Sequence, residues 1–351
     1  YDWKKKYQEK LKKGYKDVTH LFAKQSFNSD FIDITDISIR NFINTLKRYS
    51  NKSISENYEI SSESVTLQQV ETAQNILNIL IKIPEVNIKD INRNLLELYM
   101  TIPRKMNKVQ NFLVGENDTN YIDSITKILF NEQNLLDVMK GQVQIHDVST
   151  EENKKNTLLD ALGIEISSTN SEEDEELKNM MEESKYMFYK AYRVNNKKKE
   201  NSFLDHVLNS KNDQVQLLFH GSRNENWMSI LQNGLLIRPT NVITTGAMYG
   251  IGKYFANKSR KSIGYTSISN SYWARGSSDR AFLSLFKVHL GNSLHVKRHE
   301  YWMYNLNERK LRELGDYNSV FAEKGVDLRN DEYIVYNQNQ SAIEFIIEIK
   351  S

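Results

Sequence analysis

The feature that most limits this chain's fold is a change of period about half-way along it. Between Phe31 and about Lys140 the apolar side chains recur at helical spacing, whereas from Tyr186 onward they come in short runs bounded by turn residues. Leu67, Val70, Ala73, Leu77 and Leu80 share one stripe, with Gln68, Glu71 and Asn75 outside it. Ile91, Leu95, Leu98 and Tyr99 form a second, which ends or kinks at Pro103 because proline brings no N–H to the helix. Ile122, Ile125, Leu129, Leu136 and Met139 make a third. Faces this wide cannot stand alone in water, so they predict a bundle. The second half predicts strands over 186–194, 215–219, 280–290, 332–336 and 342–349, with 197–200 as a charged turn. Together they predict an α+β chain: an N-terminal all-α bundle, then a mixed, mainly antiparallel β domain rather than a doubly wound parallel sheet.

Residues 148–184, rich in Glu, Asp, Asn and Ser, read as the join. They hold an apolar patch, 158–166, and an acidic run, 172–176, where carboxylates suit the start of a short helix through Met181. A chain of 351 residues is long enough for two domains with a core each. Its net charge of +2 gives no whole-chain attraction for nucleic acid, so any such contact would be local, and the basic runs 4–6 and 197–199 are too short to define a groove. With no cysteine, disulfides, thiolate nucleophiles and cysteine-bound zinc are excluded, and the composition fits a reducing compartment. No run of about 18 apolar residues and no signal-peptide pattern occur, so neither membrane insertion nor secretion is indicated. The chain opens at Tyr1, which reads as a piece of something longer. Residues 2–13 pattern as a basic amphipathic helix, with Trp3, Tyr7 and Leu11 on one side and Gly14 as its cap.

The chemistry concentrates between Leu217 and Tyr265. An apolar run ends in His220-Gly221-Ser222-Arg223, which predicts a strand delivering a histidine to its end. Then come Gly246, Met248, Tyr249, Gly250, Gly252, Tyr254, Phe255 and, after them, Lys261, Ser262, Gly264 and Tyr265: glycines beside aromatic rings, suited to close approach by a planar ligand. The glycines do not match the dinucleotide-binding pattern, no βαβ unit surrounds them, and no phosphate-binding Gly-Lys-Ser/Thr is present. Glu332 lies within a β run, where a carboxylate is costly unless exposed or partnered. His295 and His299 are spaced to share a helix face but lack a third ligand, so no metal is expected. The serine-rich stretch 267–278, with Tyr272 and Trp273, predicts a mobile loop, and nothing resembles a nucleophile elbow.

The ordered set His-Gly-Ser-Arg, Gly-x-Gly-x-Tyr-Phe-Ala, Lys-Ser-x-x-Tyr and the Asp331-Glu332-Tyr333 strand resembles the NAD-binding half of the poly(ADP-ribose) polymerase family. The helical stripes resemble the regulatory bundle of its DNA-damage-responsive members. Part of 1–18 resembles the end of a Trp-Gly-Arg module. The resemblance implies that module end over 1–18, a helical regulatory domain over 24–145 and a catalytic domain over 152–351. It implies NAD+ as a substrate, protein acceptors, damaged DNA acting through modules outside these residues, a nuclear location, a role in DNA repair and no membrane.

Residue by residue, the resemblance implies that His220 hydrogen-bonds the adenosine ribose while Gly221 and Ser262 grip the nicotinamide carboxamide. Tyr265 stacks on the pyridine ring and Tyr254 closes the other side. Ser222 and Asn226 meet the adenosine portion, Met248 and Lys261 lie on the acceptor side, and Glu332 stabilises the sugar cation and orients the acceptor. His220, Tyr254 and Glu332 form the set of chain-elongating members. The departures are Arg329, Asn330 and Asp331 just before Glu332, Ser61 to Val65 in place of a short turn segment, and Arg238, two positions from the family's adenosine-side arginine. Asp123 is the best match to the bundle's carboxylate facing NAD. A mono-ADP-ribosyltransferase and a catalytically silent NAD- or ADP-ribose-binding module are the alternatives.

Overall fold

The computed structural model describes residues 31–81, 87–149, 155–237 and 247–351. The readings of residues 1–18, of Arg238 and of Gly246 lie outside the described residues. Helix α1 (Ile37–Asn57) begins where the Asp36 carboxylate accepts from the backbone N–H groups of Ser38 and Ile39, satisfying two donors a helix start leaves open. Helices α2 (Leu67–Ile81), α3 (Ile88–Thr101) and α4 (Tyr121–Asp147) follow. They bury the stripes read from the sequence, except that Leu67 is half-buried and Ile122, in the first turn of α4, is exposed. Residues 62–64 form a short 3-10 turn. Arg104 grips both carboxylate oxygens of the buried Glu132, at 3.0 and 3.1 Å, and locks the start of the α3–α4 connection to α4.

The bundle and the sheet region share a core. Ile39, Phe42, Ile43 and Leu46 of α1 pack with Leu218, Trp227 and Phe282, while Ile54 and Tyr58, at and just past the end of α1, pack with α2, α3 and α4. Phe42 stacks on Tyr192 at 4.3 Å and meets Phe282 edge-on at 5.7 Å.

After the join come α5 (Leu158–Leu162), β1 (Ile164–Ser168), α6 (Ser171–Met181), β2 (Phe188–Asn196), α7 (Lys197–Leu208), β3 (Val215–Gly221), α8 (Trp227–Asn233), β4 (Lys253–Phe255) and α9 (Ser259–Ile263). The chain closes with β5 (Arg280–His289), β6 (Ser293–Val296), α10 (Glu308–Gly315), β7 (Ser319–Ala322), β8 (Glu332–Val335) and β9 (Ser341–Lys350). Strands β1-β2-β9-β5-β3 make one antiparallel sheet; β4-β8-β7-β6 make a second, in which β6 and β7 run parallel. The α+β architecture is therefore the one the change of period implies.

Three local expectations are corrected. Residues 197–200 open α7 rather than a turn, because the Asn196 side chain accepts from Lys199 N–H and caps the helix. His295 lies on β6 and His299 beyond its end, where its Nε2 bonds the Met248 carbonyl, so the two share no helix face. Residues 267–278 are tied down: Ser269 pairs with Ser278 at 2.7 Å, Gly276 N–H bonds the Ser271 hydroxyl at 2.8 Å, and Trp273 and Ala274 N–H both bond the Gly264 carbonyl. Four such bonds hold that loop in one shape.

Candidate active site

A backbone bridge stitches the two sheets together beside the residues of interest. Phe219 of β3 and Ala256, just past β4, exchange backbone hydrogen bonds at 2.8 and 3.0 Å, and β4 pairs antiparallel with β8. Three strands from two sheets are thereby brought side by side, each carrying one residue of interest: His220 on β3, Tyr254 on β4 and Glu332 on β8.

His220 is half-buried and bonds the Tyr254 carbonyl through Nδ1 at 3.0 Å. A carbonyl only accepts, so Nδ1 carries the proton and Nε2 of the neutral ring is an acceptor. Burial, helped by the nearby Lys253 charge, pushes the imidazole down to about 4. Gly221 follows. A Cβ there would lie 1.8 Å from the Ser262 carbonyl oxygen, so only glycine allows β3 to run this close to α9. Ser222 accepts from the Asn226 amide at 2.9 Å, and Ser50 of α1 reaches the same turn through the Glu225 carbonyl.

The Tyr254 hydroxyl is held at both ends, donating to the Gly250 carbonyl at 2.7 Å and accepting from Tyr249 N–H at 3.1 Å. That grip needs the left-handed backbone of Gly250, whose φ is 76°. Met248 packs near Tyr249 and Tyr254 in the core of the second sheet. Glu332 accepts from the Lys261 ammonium, both side chains being largely shielded at 12% and 14% exposed. Burial lowers Lys261 while Glu332 opposes the shift. The Glu332 charge also raises the phenols of Tyr249 and Tyr265, each pushed up to about 12 chiefly by burial, and that of Tyr254, pushed up further still. Tyr249, Tyr254, Tyr265 and Lys261 thus all lie within electrostatic reach of one carboxylate.

Ser262 is buried on α9, and Tyr265, one turn on, is 40% exposed and stacked on Trp273. Asp331 turns away from Glu332, accepting from Lys324 N–H and the Asn257 amide at 2.8 and 3.2 Å. Asp123 is an exposed carboxylate in the first turn of α4. The structure thus gathers His220, Gly221, Tyr254, Lys261, Ser262, Tyr265 and Glu332 around one seam. Tyr249 and Trp273 join them without having been singled out for it; the glycines flanking Tyr249 and the serine-rich loop around Trp273 were the available signals. Among the described residues no group of three His, Asp or Glu side chains is placed to hold a metal ion.

The family model for the poly(ADP-ribose) polymerase catalytic domain matches residues 167–351. The chain belongs to that family. With the family comes the enzyme class, an NAD+ ADP-ribosyltransferase that consumes NAD+ as substrate. The poly(ADP-ribose) polymerase-like protein 100L of Invertebrate iridescent virus 6, described there as putative, is 37% identical over 168 residues, which are 46% of this chain and 85% of the viral protein. Poly(ADP-ribose) polymerase 2 of Arabidopsis thaliana is 33% identical over 164 residues, 40% of this chain and 25% of that protein. The human poly(ADP-ribose) polymerase 2 is 30% identical over 158 residues, 38% and 26% of the two. The chain therefore spans most of the viral relative but about a quarter of the plant and human ones.

Proposed function

We propose that this chain breaks the nicotinamide–ribose bond of NAD+, transfers ADP-ribose to protein acceptors and extends it to poly(ADP-ribose). The observation that carries the reading is the shielded pair of Lys261, on α9, with Glu332, on a strand neighbouring Tyr254 and, through it, His220. In the reaction the C–N bond breaks with its electron pair leaving on nicotinamide, and the ribose carbon gains cationic character. A carboxylate held close to that carbon stabilises the charge, and Glu332 takes that place. The same carboxylate accepts a hydrogen bond from the incoming hydroxyl, whose oxygen forms the new bond to the ribose carbon and whose proton passes to solvent. Lys261 fixes Glu332 in place through their ion pair. His220, neutral above about pH 5 because of its burial, offers Nε2 to a ribose hydroxyl of the adenosine end. Gly221 and Ser262 take the carboxamide, Tyr265 and Tyr254 bracket the pyridine, and Ser222 and Asn226 meet the adenosine part. Met248 and Lys261 face the acceptor.

A second reading, single-unit transfer, is favoured by Arg329, an exposed cation on the approach to Glu332 whose guanidinium lies 6.0 Å from the Tyr272 ring. Incubation with labelled NAD+ and gel separation decides between them: long products support elongation, and single-unit products support the alternative. NAD+ binding without nicotinamide release would support the silent module.

We read residues 24–145 as a regulatory bundle and 152–351 as the catalytic domain. By resemblance, the activator is damaged DNA acting through further modules, and the setting is nuclear DNA repair. Nicked duplex that accelerates a longer form carrying such modules but not this chain is the expected outcome; no acceleration of either counts against it.

A further inference from the structure

Two tyrosines bracket the proposed nicotinamide position, and they are held by different means. Tyr254 is fixed by hydrogen bonds at its hydroxyl. No described residue hydrogen-bonds the Tyr265 hydroxyl, and its ring is 40% exposed, so its orientation rests on what lies against its face. That is Trp273, whose ring centroid is 6.0 Å away at an interplanar angle of 17°. This is the offset arrangement two aromatic quadrupoles prefer.

The indole is itself secured. Its backbone N–H bonds the Gly264 carbonyl at 2.9 Å, and Arg223 of the His-Gly-Ser-Arg motif donates to the Ala274 carbonyl at 3.1 Å. Tyr272 meets Trp273 edge to face, with centroids 4.6 Å apart, and the Arg329 guanidinium lies over Tyr272. Arg329 stands three residues before Glu332. The Glu332 charge reaches the Tyr265 phenol, and ring contacts run from Tyr265 through Trp273 and Tyr272 to Arg329, just before β8. An exposed tryptophan and tyrosine at 60% and 66% are costly to leave in water, and their placement makes sense as a brace against a ring whose hydroxyl no described residue bonds.

We infer that Trp273 is a positioning residue for Tyr265, and that Tyr272 and Arg329 tie this brace to the segment leading into Glu332. The inference rests on the proposed role of Tyr265 as the nicotinamide-stacking ring. Because the brace orients a binding surface and does not touch the reacting carbon, its loss weakens NAD+ and nicotinamide binding more than turnover.

The test uses the whole chain and compares Tyr265→Ala, Trp273→Ala and Trp273→Phe for KM of NAD+, kcat and inhibition by nicotinamide. Trp273→Ala is expected to raise KM and weaken nicotinamide inhibition by about three- to tenfold, the worth of one offset aromatic stack, with kcat within about twofold of the parent. Trp273→Phe, which restores a ring, is expected to recover most of that loss. Should Trp273→Ala not fold, Trp273→Leu removes the aromatic face while keeping bulk and serves as the same test. If Tyr265→Ala raises KM but Trp273→Ala and Trp273→Leu do not, the brace is overturned and the site assignment stands. If Tyr265→Ala leaves KM unchanged, the site assignment and the brace both fall.

Discussion

His220 and Lys253 lie on adjoining strands, and burial sets the charge of both. His220 is pushed down to about 4, so protonation of this ring leaves NAD+ binding untouched across the ordinary assay range. The pH profile of kcat/KM for NAD+ should show no inflection from it near 6.5, and a fall centred there that disappears in His220→Gln would contradict the buried, neutral ring. Lys253 is 4% exposed, bonds only the Gln338 carbonyl and the Ser341 hydroxyl among the described residues, and is lowered by burial to about 7. Its folded-state value is below the unfolded one, so between about pH 7 and 10 the unfolded chain holds a proton the folded chain does not, and stability rises with pH across that window. Urea midpoints between pH 7.5 and 9.5 should climb in the parent and climb less in Lys253→Met; equal slopes would place the ammonium in a solvated setting. At this scale the order of the four motifs signalled which residues would share a seam; the glutamate in a β run also stands out by itself, because a carboxylate there needs a partner, whereas a histidine at a strand end does not stand out. Lys253 was not readable. Nothing in its spacing distinguishes a buried lysine from a solvated one; only the Gln338 and Ser341 partners, about 85 residues away, make the difference.

The contact between α4 and α8 joins the bundle to the sheet region that carries the site. Gly141 is its closest point: a Cβ there would stand 3.0 Å from the Cα and Cβ of Ser229. Gln232 donates to the Gly141 carbonyl at 2.9 Å, and Gln144 and Asn233 exchange side-chain hydrogen bonds beside it. Gly141→Leu forces these helices apart at a cost of about 1–3 kcal/mol in stability. If the bundle restrains the site, the variant releases nicotinamide faster than the parent without activator while melting lower. A folded variant with parent-like or slower turnover would remove the bundle from any regulatory role. The long helices were legible because their stripes repeat over several turns and each buries the face its period marks. The short strands β4, β6 and β7 were not; with three or four residues each, they show no alternation, and pairing with distant strands alone defines them. The hydrogen bonding of the loop 267–278 was hidden for a related reason: its serines and glycine look permissive in sequence, yet their hydroxyl and backbone groups bond one another.

Across the whole molecule, two sheets stitched at Phe219 and Ala256 bring residues more than 100 positions apart to one seam, with α1 packed into the core behind it. The family match over 167–351 gives the donor, NAD+, and the class of reaction, and the seam gathers the side chains the proposal uses. What they leave to experiment is the central role given to Glu332. The most direct measurement follows nicotinamide release and product length from labelled NAD+, comparing the parent chain with Glu332→Gln. The expected result is long products from the parent, and from the variant residual NAD+ cleavage with elongation abolished. Equal product lengths from both chains, or loss of cleavage and elongation together in a folded variant that still binds NAD+, would contradict the role assigned to Glu332.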